Sequence, residues 1–393
     1  MANTSRIGAI DFWRGLVLIA ILIDHVPGNG LEAATPRNYG FSDSAEAFVF
    51  LSGLSVGAIY VPRARKLGLF AAASACWKRA LKLYGVHLAM TAAALAIFIA
   101  AAWATGLTDL ITAHGRGLIL YDPGRGASGI AMLGHQLGYF NILPLYIALM
   151  IWAPVALALT LVRQWLGFAA SFALYVVARA MNLNLPNWPD DGHWFFNPLT
   201  WQLIFTCGVI AATIWRTGAP RVAGGLIAIS VAVLIGAALL VTDGFGLADG
   251  WRAAAWANLD LGKQNLGLLR FLHFFAIAYL AAIASHPIEA ALGRLAEGLR
   301  ALGRHSLPVF AFGSLLAALG QAAMAIVAAW YSPAIVESFG LVYTLSAIAA
   351  SFLLARKLDC ETSFAPVTAL FHALFGMLRA RPPYWPSPSS PGR

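Results

Sequence analysis

Charged residues are scarce in this sequence. Asp, Glu, Lys and Arg together make up 11% of its 393 residues, whereas hydrophobic residues make up 60%. A soluble globular chain carries about 25% charged residues. The shortage of charge therefore excludes a soluble enzyme with one buried helix. It predicts an all-α, polytopic membrane protein, a bundle of about ten transmembrane helices.

Cysteine is also scarce. Cys76, Cys207 and Cys360 have neither paired nor metal-type spacing, so we expect no disulfide framework, no metal site and no permanently bound cofactor. The net charge of +9 does not require a nucleic-acid partner, because positively charged cytoplasmic loops are typical of inner-membrane proteins. The partner that the composition predicts is a lipid bilayer.

Hydropathy predicts ten membrane-spanning segments. They cover approximately residues 8–27, 42–62, 80–105, 137–162, 165–181, 199–216, 221–242, 267–286, 304–330 and 336–356. Residues 1–356 are therefore predicted to form a transmembrane domain, and residues 357–393 a cytoplasmic tail. Within the tail, 362–378 can lie along the membrane surface as an interfacial helix, and a disordered end rich in Pro and Ser follows from Pro382.

Lysine and arginine in the loops indicate the orientation of these spans. The loop after the second span is rich in both: it carries Arg63, Arg65, Lys66, Lys78 and Arg79, followed by Lys82. We expect this side to face the cytoplasm of a bacterial inner (cytoplasmic) membrane, which places both termini there. The three long polar loops, 106–136, 182–198 and 243–266, are then periplasmic.

Two of those periplasmic loops, 182–198 and 243–266, contain four tryptophans and one histidine. They are Trp188, His193, Trp194, Trp251 and Trp256. Two interpretations are open. The residues form an aromatic belt at the membrane interface, or they form a platform on which sugar rings stack.

The first two spans carry an unusual number of ionisable residues. They are Asp11, Arg14, Asp24, His25, Asp43 and Glu46. Each costs about 3 kcal/mol to place in a span, so such residues mark a functional site by default. Arg14 and His25 are eleven residues apart, within about 20° on one helix face and about 16 Å apart along the axis. One therefore lies near each membrane surface.

His25 is the strongest catalytic candidate. A neutral imidazole at the end of a span can act as a general base toward a hydroxyl group, or can accept an acyl group itself. Asp24 precedes it, but consecutive helical side chains point about 100° apart, so Asp24 orients His25 only if the helix unwinds. Pro27 and Gly28 make that unwinding possible. The alternative is that His25 is only a polar helix terminus.

The other charged pairs in these spans have two interpretations each. Asp11 and Arg14 form a structural ion pair, or Arg14 meets an anionic group of a substrate. Asp43 and Glu46 form a capping box that opens the second span, or they line the site beside His25. The residues leave both pairs open.

The second span also carries a pair of small residues at helical spacing. Gly53 and Gly57 predict close helix packing and no chemistry. The first span is the candidate partner.

Polar residues in later spans are further candidates. They are His135, Tyr139, Asn141, Gln202, Arg270, His273, His305 and Ser306. Each one alone is more often a satisfied polar residue between helices than a ligand. Together they supply enough donors for a polar cavity inside the bundle.

Six segments of the chain resemble one known family. They are DFWRG, IDHVPGN, TPRNYGFSDSAEAFVFLSG, NPLTWQLIFTCG, LRFLHFFAIAYL and GRHSLPVFAFG. Together they look like the OpgC family of inner-membrane succinyltransferases, which act on osmoregulated periplasmic glucans. The resemblance covers the chain up to about residue 356. It also places the chain near the superfamily of transmembrane acyltransferases that includes the lysosomal heparan-α-glucosaminide N-acetyltransferase.

This resemblance implies an acyltransferase that uses an acyl-CoA, with cytoplasmic succinyl-CoA as the expected co-substrate and a periplasmic glucan as the acceptor. Asp11 and Arg14 match the D-x-x-R-G motif of the first span, and His25 matches the D-H pair that ends it. Asp43 and Glu46 match the F-S-D-x-A-E motif that opens the second span.

From the residues and the resemblance together we predict two sets of site residues. The catalytic set is His25, Asp24, Asp43, Glu46 and Asp11. The substrate-binding set is Arg14, Arg270, His273, Asn141, Arg79, Lys82 and His305.

Several roles are expected within these sets. Arg79 and Lys82 are the best placed of the basic residues to hold CoA phosphates; the positive-inside rule explains most of the others. Arg270 is the candidate partner of the succinyl carboxylate, and Arg270, His273 or Asn141 can donate to the thioester oxyanion. His25 either deprotonates a glucose hydroxyl group or takes the acyl group first.

Two other functions are consistent with the sequence. The first is transfer of an acetyl or succinyl group to another surface polysaccharide. The second is a proton-coupled transporter. Transporters often show two repeated halves with paired broken helices, whereas here we detect no repeat, and the charged residues cluster in the first two spans.

Overall fold

The structure, a computed structural model, describes residues 8–215, 222–244, 246, 254 and 256–378. This part of the chain is built from helices and loops, with one isolated bridge between Pro186 and His193. The longer helices are α1 (Gly8–Asp24), α2 (Ser44–Leu67), α3 (Leu69–Thr105), α4 (Ile142–Val162), α5 (Gln164–Ala180), α6 (Pro198–Trp215), α7 (Gly224–Val241), α8 (Leu268–Leu292), α9 (Arg294–Arg304), α10 (Ser306–Trp330) and α11 (Pro333–Leu378). Short helical turns lie in the loops before α2 and α4, and the second of these loops also contains a nine-residue helix, Pro123–Ala131.

Seven helices in the described ranges are long and apolar enough to cross a membrane. They are α2, α3, α4 with the turn before it, α7, α8, α10 and α11 as far as Glu361. The prediction of an all-α, polytopic membrane protein is confirmed. The remaining predicted spans also form helices in the described ranges, namely α1, α5 and α6.

Two helices extend beyond the spans that the sequence predicted. Helix α3 begins at Leu69, so the basic residues from Lys78 to Lys82 lie on a helix and not in a loop. Helix α11 runs without a break from Pro333 to Leu378, so the predicted boundary between the transmembrane domain and the tail falls inside it. The interfacial helix over 362–378 stays a prediction, and the tail from Pro382 lies outside the described residues.

Helix α1 lies inside the bundle, where it packs against α2, α9 and α10. Its contact with α9 is close: a Cβ atom on Gly15 would overlap the carbonyl oxygen of Leu299, and one on Gly303 would overlap that of Asp11. The sequence analysis predicted no helix at α9. Its face toward α1 is apolar, and Leu302 is fully buried there.

The predicted close packing of α2 is confirmed, but its partner is α6 and not the first span. A Cβ atom on Gly53 would overlap the carbonyl oxygen of Phe205, and one on Gly57 would lie 2.6 Å from that of Val209. Gly208 on α6 faces the Phe50 carbonyl in the same way. These glycines bring the two backbones together beside the fully buried ring of Phe205.

The three long polar loops meet at one end of the bundle, as their predicted common side requires. The ring of His135 contacts Asp190 through Nδ1 at 2.7 Å and the Gly115 carbonyl through Nε2 at 2.9 Å. The backbone N–H of Asn197 donates to the carbonyl of Gln264 at 3.0 Å. These contacts tie the second loop to the first and to the third.

The tryptophans of these loops do not share one environment. Trp194 is buried, and its carbonyl accepts a hydrogen bond from Gln264, so it belongs to the core of the loop assembly. Trp188 and Trp256 are exposed. Trp251 lies outside the described residues. The choice between an interfacial belt and a sugar platform therefore concerns Trp188 and Trp256.

Candidate functional site

His25 directly follows α1 and lines a cavity of about 330 Å³ at the end of the bundle where the long loops meet. Its Nδ1 atom lies 2.6 Å from the carbonyl oxygen of Ile21. Because a carbonyl oxygen can only accept, Nδ1 carries the proton of the neutral ring. Nε2 is then the atom whose lone pair can take a proton or an acyl group. We call this space the His25 cavity.

The end of α1 is held by a local hydrogen-bond network. The fully buried Asn29 donates from its side-chain amide to the carbonyls of Ile23 and Val26, and its Oδ1 accepts from the backbone N–H of Leu31. Gln321 on α10 donates to the carbonyl of His25 at 3.1 Å. The turn after α1 is therefore fixed from both sides, and with it the position of the imidazole.

Asp24 does not orient His25. The atom in contact with the His25 Nδ1 is the Ile21 carbonyl, four residues earlier, so no unwinding of α1 is required. Asp24 itself lines the cavity, and its Oδ1 is buried without a hydrogen-bond partner in the described part of the chain. This oxygen can accept a hydrogen bond from a hydroxyl group bound in the cavity.

Aromatic side chains pack around the imidazole. The ring of Tyr139 meets that of His25 edge to face, with centroids 4.7 Å apart. Tyr139 also contacts His114, at 5.7 Å. Asn141, one of the predicted donors to an oxyanion, lines the same cavity. The loop before α4 thus supplies one complete wall of the site.

Two cations that were not among the predicted site residues, Arg37 and Lys263, also line the His25 cavity. Arg37 is exposed and donates to the Asp24 carbonyl at 3.3 Å. Lys263 places Nζ 2.5 Å from Asp43 and 5.7 Å from the ring centroid of Phe196. Both lie in loops on the predicted periplasmic side. The length of these loops does not indicate that the loops fold over the end of α1.

The predicted capping box at the start of α2 is confirmed. Oδ1 of Asp43 accepts from the backbone N–H of Ala45 at 2.8 Å, and the Glu46 carboxylate accepts from that of Asp43 at 2.8 Å. The same carboxylates also bind cations. Arg270 on α8 donates to Oε1 of Glu46 at 2.8 Å and to Oδ2 of Asp43 at 3.2 Å.

Asp43, Glu46, Lys263 and Arg270 together form what we call the charge network. Glu46 is fully buried and Arg270 is 12% exposed, so these ions are compensated by each other and not by water. Only Asp43 and Lys263 also line the His25 cavity. Glu46 and Arg270 lie behind its wall, where they join α2 to α8.

His273 lies beside this network and not in the cavity. Its buried Nδ1 accepts from the backbone N–H of Ser42 at 3.3 Å and lies 2.8 Å from the Ser42 hydroxyl. Its ring fills the space that a side chain on Gly40 would need. His273 therefore positions the chain that leads into α2.

A second cavity, of about 200 Å³, lies on the Arg14 side of the bundle. Its lining includes Arg14, Arg79 and Arg304, with Ser52 and Ser55. We call it the arginine cavity. The sequence analysis predicted two of these arginines as substrate ligands. Arg304 was not among the predicted site residues, since nothing in the local sequence places it next to α2 and α3.

The three arginines are held differently. Arg14 donates to Ser55 and to the carbonyl of Gly303, and it lies 3.6 Å from Asp11, so the predicted structural ion pair is present. Arg304 binds Asp359 of α11 through two nitrogens, at 2.6 and 3.2 Å. Arg79 is half-buried, and in the described part of the chain no carboxylate forms an ion pair with it.

Besides Arg270 and His273, two further predicted ligands line neither cavity. Lys82 is exposed on the outer surface of α3. His305 places Nε2 2.8 Å from Asp359 and so belongs to the ion pairs that tie α11 to the start of α10. Of the predicted site residues, the structure therefore brings His25, Asp24, Asp43 and Asn141 together in one cavity, and Arg14 and Arg79 in the other.

The comparisons with known proteins give one match. A family model described as "OpgC protein" matches residues 6–357 of the chain. No curated protein and no solved structure matches it. The matched region contains every residue named above for the two cavities and for the charge network.

Proposed function

Since this chain belongs to the OpgC family, as its sequence motifs predicted, we propose that it transfers a succinyl group from succinyl-CoA to glucose hydroxyl groups of an osmoregulated periplasmic glucan. Family membership indicates an acyltransferase. The observation that supports this reaction best is the pairing of the two cavities. One is lined by three arginines, and the other holds an imidazole whose Nδ1 is already bound.

The arginine cavity suits the donor. CoA carries several phosphate charges, and arginine binds phosphate through two parallel N–H donors. Arg79 and Arg304 lie on different helices, so they can approach one phosphate group from two sides. In the proposed orientation this cavity opens toward the cytoplasm, where succinyl-CoA is made, and the membrane is the bacterial inner membrane.

The His25 cavity suits the reaction. Nε2 of His25 takes the proton of a glucose hydroxyl group as its oxygen attacks the thioester carbonyl carbon. The C–S bond then breaks, and the CoA sulfur leaves as a thiol with that proton. Alternatively Nε2 attacks the thioester carbonyl carbon first, the C–S bond breaks with loss of the CoA thiolate, and an acyl-histidine forms. The glucose hydroxyl oxygen then displaces Nε2 from the acyl group, so that the overall products are again the ester and the CoA thiol. Asn141 is the predicted oxyanion donor that lines this cavity, and the unpartnered Asp24 oxygen can hold the sugar hydroxyl group.

The structure changes our assignment of the succinyl carboxylate. Arg270 was the sequence-based candidate, but it is bound by Glu46 and Asp43 behind the cavity wall. Lys263 and Arg37 are the cations that line the cavity itself. We therefore assign the carboxylate to these two residues.

The experiment is transfer of label from radiolabelled succinyl-CoA to glucan in inside-out membrane vesicles. We expect transfer by the wild type and none by His25→Ala. His286→Ala, which replaces an exposed histidine of α8, is the matched control and keeps full transfer. Label held on the wild type without glucan identifies the two-step route. Undiminished transfer by His25→Ala would contradict the proposal.

If the wild type transfers label to a different polysaccharide, the acceptor assignment is wrong and the chemistry is right. If it transfers nothing from any acyl-CoA, the proton-coupled transporter becomes the better explanation of the buried charge.

A further inference from the structure

The two cavities lie end to end in one groove of the bundle. Helices α1, α2, α4 and α10 line both of them. On each helix, a residue that lines one cavity lies within a few sequence positions of a residue that lines the other. On α4, for example, Ile142 lines the His25 cavity and Leu143 lines the arginine cavity. The two cavities are therefore neighbours along these helices, and Phe310 lines both of them.

Phe310 belongs to a group of three aromatic side chains. Phe48 on α2 packs against Phe310 on α10, with ring centroids 5.5 Å apart, and against Tyr146 on α4, at 6.2 Å. Phe310 lines both cavities, and Phe48 and Tyr146 line the arginine cavity. We call these three residues the aromatic layer. Phe48 and Phe310 are each 6% exposed, so the layer is closed in this structure.

The layer has no charge and no ion pair across it, in contrast to the cavities on either side. A phosphate group would lose its hydration and its arginine partners if it crossed such a layer. A thin, linear chain needs only a change in ring rotamers, because phenylalanine has two rotatable side-chain bonds. The layer therefore holds back the bulky head with its several phosphate charges, whereas the slender acyl arm can pass, and Lys263 and Arg37 receive its single carboxylate on the far side.

We propose that the aromatic layer is the constriction through which the acyl arm of the donor reaches His25, and that Phe310 determines which arms can pass. This inference rests on the proposed function for the identity of the donor. It adds the class of molecule that the path selects: a polyanionic head joined to a slender acyl arm.

The first test measures access and needs no acyl transfer. Cys76, Cys207 and Cys360 are replaced by serine or alanine, and Ser314, which lines the His25 cavity on α10, is replaced by cysteine. A membrane-impermeant thiol reagent is then added from the arginine-cavity side. Phe310→Ala should raise the labelling rate about tenfold, because truncating a buried ring leaves a cavity in the layer.

Matched controls separate an open path from a damaged fold. Phe168→Ala removes a ring that is 43% exposed on α5 and should leave the labelling rate unchanged. Phe310→Leu keeps most of the side-chain volume and should give a rate between those of the wild type and Phe310→Ala. Labelling from the His25 side should be equal in all variants, which shows that the cavity is intact.

The second test measures donor choice as the ratio of kcat/KM values for benzoyl-CoA and succinyl-CoA. Phe310→Ala should raise this ratio about tenfold, the equivalent of about 1.4 kcal/mol. The proposal is overturned if Phe310→Ala and Phe48→Ala both label no faster than the wild type while their His25 cavities stay accessible. If labelling behaves as expected but no variant transfers an acyl group, the constriction stands and the proposed reaction fails.

Discussion

The two ends of α2 carry their charge in different ways. At the first end, the charge network joins two carboxylates to two cations at distances of 3.2 Å or less. At the other end, the arginine cavity is lined by three cations and by no carboxylate. In both regions, placing ionisable residues inside a membrane protein costs free energy.

The difference separates structural charge from charge that meets a ligand. In the charge network every ion has its counter-ion inside the protein, and this network joins α2 to α8. In the arginine cavity, Arg14 and Arg304 also have counter-ions, Asp11 and Asp359. Arg79 differs, because no carboxylate in the described part of the chain forms an ion pair with it, and an anionic ligand can balance its charge. The four predictions below test this division, from the largest expected effect to the smallest.

Glu46→Gln should destabilise the protein by about 3 kcal/mol, because it removes one partner from a buried ion pair and leaves Arg270 undercompensated. The measurement is the free energy of unfolding in mixed micelles. Glu361→Gln is the matched control: its contact with Lys357 is exposed and 4.0 Å long, so its effect should stay below about 1 kcal/mol. Equal losses in the two variants would show that the network is not structural.

Gly53→Ala should destabilise the protein by about 2 kcal/mol, since the new methyl group forces α2 away from the Phe205 carbonyl of α6. Gly85→Ala on α3, where a Cβ atom would meet nothing within 4 Å, should be neutral or stabilising. Unfolding of both variants is followed in the same micelles. A neutral Gly53→Ala would mean that the contact between α2 and α6 can relax without cost.

Arg79→Ala should weaken donor binding about tenfold, the loss expected when one charged hydrogen bond is removed. Its folding stability should not change, in contrast to Glu46→Gln. The measurement is the Kd of succinyl-CoA for the purified protein. Lys82→Ala is the comparison variant. The sequence predicted that Arg79 and Lys82 both hold CoA phosphates, whereas the structure places Lys82 on the outer surface of α3. Equal effects of the two variants would show that the arginine cavity does not hold the donor.

His114 should cause a small loss of stability in acid. Burial, and after it the nearby Arg116, lowers the pKa of His114 below its ordinary value of 6.5. The unfolded chain therefore binds a proton more readily, so stability is complete above pH 6.5 and falls as the pH drops toward the folded pKa.

The test compares unfolding of the wild type and His114→Asn at pH 7 and pH 5. His114 has a φ of 57°, which asparagine tolerates. The variant should lose less stability than the wild type between the two pH values. The effect should be slight because this side chain is mostly exposed. A larger loss of stability in the variant would show that protonation of His114 favours the folded state, which is the opposite of the direction that we derive.

Much of the fold could be predicted because apolar runs in a membrane chain have few alternatives to a helix. The predicted spans all correspond to helices. Helix α9 was missed because it is amphipathic and short. The partner of Gly53 was also missed, because a glycine pair predicts close packing without identifying the neighbouring helix.

The site was predictable only in part. His25, Asp24, Arg14 and Arg79 were selected because ionisable residues in or beside apolar runs have few structural explanations. Arg37 and Lys263 carried no such signal, since a basic residue in a polar loop is ordinary. Arg270 shows the opposite error. Its place in an apolar span marked it correctly as special, but its partners are Glu46 and Asp43.

The sequence by itself determined the helical bundle, the family and the histidine at the end of the first span, because hydropathy and short motifs are local properties. The tertiary structure decided which charges neutralise each other and which line a cavity. Asp43 and Lys263 are 220 residues apart along the chain and 2.5 Å apart in the structure. A charge interacts through space with an energy set by distance and burial, and neither quantity is fixed until the helices have packed.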